Sequence, residues 1–109
     1  MNALQKEIVN TFFQTLEDIK TKKDFAVFFK DFLTEKELEA YAKRLAIAYW
    51  LKKKRSHENI KTNLKVSKNV IASVEKQLDS EGYKLALKKM DAEDWANTWN
   101  SRIKKLKLK

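Results

Sequence analysis

The chain has 109 residues and a formal net charge of +9, with one glycine, no proline and no cysteine. That length suits a single domain over residues 1–109, because two separate cores would leave each half too small to stabilise itself. Without cysteine there is no disulfide framework, thiolate metal site or thiol nucleophile; one glycine cannot cradle a phosphate, and the single histidine, His57, leaves no zinc or hydrolase pair.

The near absence of glycine and proline argues against a turn-rich sandwich or barrel, and the elements read as helices throughout. The first spans about residues 3–20, where Leu4, Ile8, Phe12, Leu16 and Ile19 recur at spacings of four and three, widened by Val9 and Phe13. Thr21-Lys22-Lys23 is a polar break, and Asp24 is the expected cap of a second helix, Phe25 to Leu33. That helix carries Phe25, Phe28, Phe29, Phe32 and Leu33, an aromatic stripe that reads as core rather than as a base-stacking platform. Thr34-Glu35-Lys36-Glu37 fits the capping box and opens a third helix, whose Leu38, Tyr41, Ala42, Leu45, Ala48 and Tyr49 form one face. Its Leu45 to Leu51 stretch is apolar on every side, which a lone small chain has little depth to hide, so a dimer interface is expected there. Seven residues are far too few to span a membrane.

The helix closes in Lys52-Lys53-Lys54-Arg55, cations that suit the negative end of its dipole. Ser56 then caps a short helix over 57–63, Lys65-Val66 makes a bend, and Ser67 caps another to about Leu78. The inner stripe of that second helix is Val70, Ile71, Val74 and Leu78, with Lys68, Asn69, Ala72, Ser73 and Lys76 opposite. Two capped helices around a short turn, at about 56–78, form a helix-turn-helix pattern. Short or donor-rich side chains on the outer face fit a major groove that offers acceptors, donors and methyl groups. Asp79-Ser80-Glu81-Gly82 reads as a loop. A C-terminal helical extension follows at about 83–109: a short helix from Tyr83 to Met90, then one capped by Asp91 with Trp95, Trp99, Ile103 and Leu106 on its apolar face.

Charge is unevenly placed along this all-α chain. Residues 1–51 hold eight basic and eight acidic residues, so the whole +9 lies in residues 52–109. An acidic polymer is the natural partner of such a half, and nucleic acid is the commonest one. Lys53, Lys54, Arg55, Lys61 and Lys76, with Ser67 at its helix N-terminus, are the candidate phosphate contacts; Lys52 to Arg55 also fits a solvated helix end. Lys68, Asn69, Ala72 and Ser73 are the candidate base contacts. Two other readings stand beside DNA: a helical module for an acidic protein partner, and RNA or membrane-surface binding through the basic tail, Arg102 to Lys109. His57 reads as a surface residue, and Glu35 and Glu39 as ordinary helix-surface charges. The start, Met1 to Glu7, lacks the basic-then-apolar order of a signal peptide, so a cytoplasmic location is expected.

The stretch Phe32-Leu33-Thr34-Glu35-Lys36-Glu37-Leu38-Glu39-Ala40-Tyr41-Ala42-Lys43-Arg44-Leu45 is similar to the Leu-Thr-Pro-Asp-Glu-x-Glu-Ala-Leu-x-x-Arg stretch of the Trp repressor family. With one residue deleted near Lys53–Arg55, the resemblance continues to Leu78 and covers roughly residues 25–78. It implies an all-helical, intertwined homodimer presenting two helix-turn-helix units to a palindromic operator; the composition already points away from an enzyme, a metal site or a cofactor, and the chain is expected to act as a transcriptional regulator. Departures set limits on it. Lys65 stands where the family has a turn glycine, and Ser67-Lys68-Asn69 opens the second helix, so a different operator is expected. The ligand-responsive members hold an amino acid against the helix preceding the motif; here the matching positions are Thr34 and Arg44. The family's recognition-helix arginine aligns with Ser73, its glycine with Val74, and its small hydroxyl positions with Val70 and Gln77. The resemblance thus implies a vestigial, filled pocket and no response to L-tryptophan.

Overall fold

The structure, a computed structural model, describes residues 1–92 and Arg102. Among the described residues it is all-helical: α1 (Ala3–Asp18), α2 (Lys22–Phe32), α3 (Glu35–Lys52), α4 (His57–Leu64), α5 (Lys68–Lys76) and α6 (Glu81–Ala92). The chain divides into two compact units, Met1–Glu39 and Ala40–Lys109.

In the first unit, local capping sets every boundary. Asn2 Oδ1 accepts from the Gln5 amide at 2.8 Å and Gln5 Oε1 accepts from the Asn2 amide at 2.9 Å, a reciprocal box that opens α1. The cap of α2 is Thr21, not Asp24: the Thr21 hydroxyl accepts from the Asp24 amide at 3.1 Å. Lys22 and Lys23 are good helix formers, so the helix starts earlier and Asp24 falls in its first turn, where a carboxylate suits the dipole. At Thr34 the expected box is present. The Thr34 amide donates to Glu37 Oε1 at 2.9 Å, and its hydroxyl accepts from the Glu37 amide at 3.1 Å. The Thr34 amide first, and the Thr34 side chain second, hold the Glu37 carboxyl below the usual glutamate range. The phenylalanines stack among themselves, with Phe12 on Phe32 at 5.6 Å and Phe28 on Phe32 at 4.9 Å between ring centres. Even so, neither α1 nor α2 buries a single residue, and Leu4, Ile8, Phe13 and Val27 are each about 60% exposed or more.

The second unit holds the core. Ala46 to Leu51 of α3 are buried against Ile60 of α4, Ile71 and Val74 of α5 and Leu87 of α6, with Leu64, Val66, Leu78, Tyr83 and Met90 packed at the edge. Each such aliphatic group contributes about 1.5–3 kcal/mol of apolar burial. The run therefore finds its cover inside one chain from Ala46 to Leu51, because three short helices wrap it, while Leu45 stays 37% exposed. It does not itself call for a second copy.

Both ends flanking α4 close through a lysine in the left-handed region. The Arg55 amide bonds Trp50 O and the Lys54 amide bonds Leu51 O, with Lys54 at φ 66°. The Val66 amide bonds Lys61 O after Lys65 at φ 55°. Glycine is favoured at such positions. The chain's glycine sits elsewhere, in the first turn of α6, and α5 ends at Lys76 rather than near Leu78, so the expected loop 79–82 moves to 77–80. Asp91 lies within α6, and its carboxylate pairs with Lys52 at 3.3 Å and Lys53 at 3.9 Å. Trp95, Trp99, Ile103 and Leu106 lie outside the described residues.

Candidate nucleic-acid interface

Two caps and one strained turn place α5 on the outside of the second unit. Ser56 Oγ accepts from the Asn59 amide at 3.1 Å, and Ser67 Oγ accepts from the Val70 amide at 3.2 Å, so α4 and α5 each begin where the sequence sets a hydroxyl. The left-handed Lys65 between them turns the chain, and the two helices pack on one another. Ile71 and Val74 face the core, which leaves Lys68, Asn69, Ala72, Ser73 and Lys76 exposed. Val70, expected inside, is 38% exposed instead.

That outer face lies between two hollows. On one side His57, Glu58, Lys68, Asn69 and Ala72 line a groove of about 500 Å³. On the other, Arg44, Asn69, Val70, Ser73, Val74, Gln77 and Tyr83 line a cleft of about 410 Å³. Asn69 borders both. All four candidate base-contact residues thus stand on one accessible strip of helix.

The candidate phosphate contacts are less uniform. Lys54 and Lys76 are exposed, Lys61 is half-buried in the last turn of α4, and Ser67 is engaged in its cap. Lys53 lies 5.4 Å over the Tyr49 ring as well as near Asp91. Arg55 stacks 4.2 Å over Trp50 and donates to Asn59 Oδ1 at 3.2 Å. Arg55 thus ties the end of α3 to α4, and Lys53 ties it to α6, each with the group that would meet a phosphate. A contact that sequence reasoning missed is His57 Nε2 with Glu75 Oε2 at 2.9 Å, joining α4 to α5. Nothing local signals it, since the partners are 18 residues apart.

The second cleft collects the residues that the resemblance aligned with a ligand pocket: Arg44, Val70, Ser73, Val74 and Gln77. It is open, whereas the resemblance implies a filled pocket. Val74 is 3% exposed because its bulk goes into the core, leaving the cleft unfilled. The Arg44 guanidinium sits 5.6 Å over the Tyr41 ring. Thr34, in the first unit, has its amide and hydroxyl engaged by Glu37. Among the described residues, no group of three or more His, Cys, Asp or Glu could hold a metal ion, and no helix is long and apolar enough to cross a membrane.

A protein-family model described as Trp repressor protein matches residues 7–91. No curated protein and no solved structure matches the chain.

Proposed function

The chain belongs to the Trp repressor family, whose members are DNA-binding transcription regulators and not enzymes, and from that premise we propose that it binds one double-stranded operator sequence-specifically. It does so as a homodimer in the cytoplasm, on a palindromic site, and without tryptophan. The observation that carries the reading is the α4–turn–α5 pair, with the short or donor-bearing side chains of α5 exposed on one strip. Lys68, Asn69, Ala72 and Ser73 meet base edges in the major groove. Lys53, Lys54, Arg55, Lys61 and Lys76, with the α5 N-terminus at Ser67, meet phosphates and set the register.

Independence from tryptophan rests on charge and not on space. The cleft beside α5 has room, but Ser73 stands where the family's ligand-responsive members carry an arginine. A charge-assisted hydrogen bond to a ligand carboxylate, worth about 1.5–3 kcal/mol, is then missing. Dimerisation is supported by the apolar surface of α1 and α2, which leave Leu4, Ile8, Phe13 and Val27 exposed in a single chain.

The deciding experiment is selection of bound duplexes from a random library with the full chain. A palindromic winner preferred over scrambled competitor is the expected result. Enrichment of no sequence, with retention of an acidic protein instead, would replace DNA by a protein partner.

A further inference from the structure

The single histidine of the chain sits on the helix-turn-helix and touches its second helix. His57 Nε2 lies 2.9 Å from Glu75 Oε2, and both side chains are about half exposed. It is the one polar side-chain contact joining α4 to α5 among the described residues. Lys68, Ala72 and Glu75 recur along α5 at spacings of four and three, so they share one edge of that helix. Lys68 and Ala72 line the groove together with His57 and Glu58. Glu75 thus places a carboxylate beside the strip assigned to DNA.

We propose that the His57–Glu75 pair makes DNA binding proton-linked, tightening it as the pH falls. The inference rests on the DNA-binding reading of that same face. Histidine is the side chain whose ordinary charge change falls between pH 5 and 8. With a neutral imidazole, the Glu75 carboxylate keeps its full negative charge near phosphates. With a protonated one, the charge is cancelled, the pair becomes charge-assisted, and α4 is held more firmly to α5. Both effects have the same sign. Glu58 and Lys68 share the groove with His57, and the other charged groups near the pair in sequence are Lys61 on α4, Lys65 in the turn, Lys76 on α5, Asp79 after it, and Lys54 and Arg55 before α4. Carboxylates, ammonium groups and guanidiniums do not ordinarily titrate in this interval; an α-amino group does, and a control must carry it.

The test is fluorescence anisotropy with a labelled duplex recovered from the random-library selection, using the full chain at about pH 5.5 and about pH 8. One added cation in full phosphate contact at ~0.1 M salt is worth at most about eightfold, so about fivefold tighter binding at the lower pH is expected. His57→Gln keeps a hydrogen bond to Glu75 and the α-amino group but does not titrate; it should bind alike at both pH values. Glu75→Gln should bind more tightly than the parent at the higher pH. Far-UV circular dichroism should show equal helix content in all three proteins at both pH values. Parent binding that ignores pH, or a His57→Gln variant that keeps the full response, overturns the linkage and leaves the DNA reading standing. A failure to bind any duplex at either pH overturns that reading and this inference with it.

Discussion

Replacing Lys65 by glycine should stabilise the protein. Lys65 follows α4 at φ 55° and ψ 55°, the left-handed conformation, and its side chain is exposed. An L residue there carries about 1–2 kcal/mol of strain from its Cβ against the following carbonyl. Glycine removes the strain but adds freedom to the unfolded chain, which takes back about 0.5–1 kcal/mol. The expected net gain is ~0.5–1 kcal/mol, read as a rise of about 3–6 °C in Tm at fixed protein concentration. Lys65→Ala is the control, since it removes the charge and the side-chain stem but keeps the Cβ. It should stay within about 0.5 kcal/mol of the parent. A glycine variant that melts lower than the parent would refute the reasoning, and so would an equal gain in the alanine variant. The first result would mean that the turn does not hold the left-handed conformation. The second would mean that relief of charge repulsion, not backbone strain, is responsible.

Asn69→Ala should change the order of preference among duplexes and cost about 1–3 kcal/mol on the best one, whereas Lys54→Ala should weaken all duplexes alike and flatten the salt dependence by about one unit; competition binding checks both. Millimolar L-tryptophan should give no saturable heat in calorimetry and leave operator affinity unchanged, and a stoichiometric isotherm coupled to tighter DNA binding would reverse the assignment of Ser73. Thr34→Ala should cost about 1 kcal/mol by removing the cap of α3. The Glu37 carboxyl is held below its ordinary range by Thr34, so its contribution is complete above the unfolded value and disappears as pH falls through the lowered one. The acid limb of the parent's stability curve should therefore be steeper than that of Glu37→Gln, which carries no carboxylate for the Thr34 amide to hold, in urea titrations below about pH 5. Sedimentation at micromolar concentration should find a dimer, and a folded monomer there would remove that part of the proposal.

The order of the described helices could be read from the sequence because their ends are written in local chemistry. Thr34 with Glu37, Ser56 with Asn59 and Ser67 with Val70 each make the bond that residue type and spacing suggest. The errors arise where two local signals compete. Thr21 and Asp24 can both cap a helix, and the earlier one wins because the lysines between them are content in a helix. Asp91 sits where an acid could start a helix, yet α6 is already running and the carboxylate turns to Lys52. The lone glycine suggests a loop by type alone, while the left-handed positions that would reward glycine hold Lys54 and Lys65.

The site was legible in its outline and not in its depth, because depth depends on what comes from elsewhere in the chain. Periodicity places Lys68, Asn69, Ala72 and Ser73 on the outer face of α5, and that is where they lie. It also places Val70 inward with Ile71, but nothing closes over that edge of α5, where the cleft with Arg44 is open. The same limit governs the argument for a second copy of the chain. From sequence, the strongest motive was Leu45 to Leu51, since a run apolar on every side needs cover. In the fold that cover is Ile60, Ile71, Val74 and Leu87, contributed by three helices too short to look like a wrapping layer. What remains exposed is largest on α1, with Leu4, Ile8 and Phe13, and on α2, with Val27 and Phe32, beside Leu38, Tyr41 and Leu45 of α3, Val70 of α5 and Leu85 of α6. The N-terminal helices, which carry most of this surface, are where the proposed dimer is to be sought first. A charge introduced at Ile8 should shift the sedimentation of the full chain toward monomer, while the buried Ala46–Leu51 core, satisfied within one chain, keeps the second unit folded.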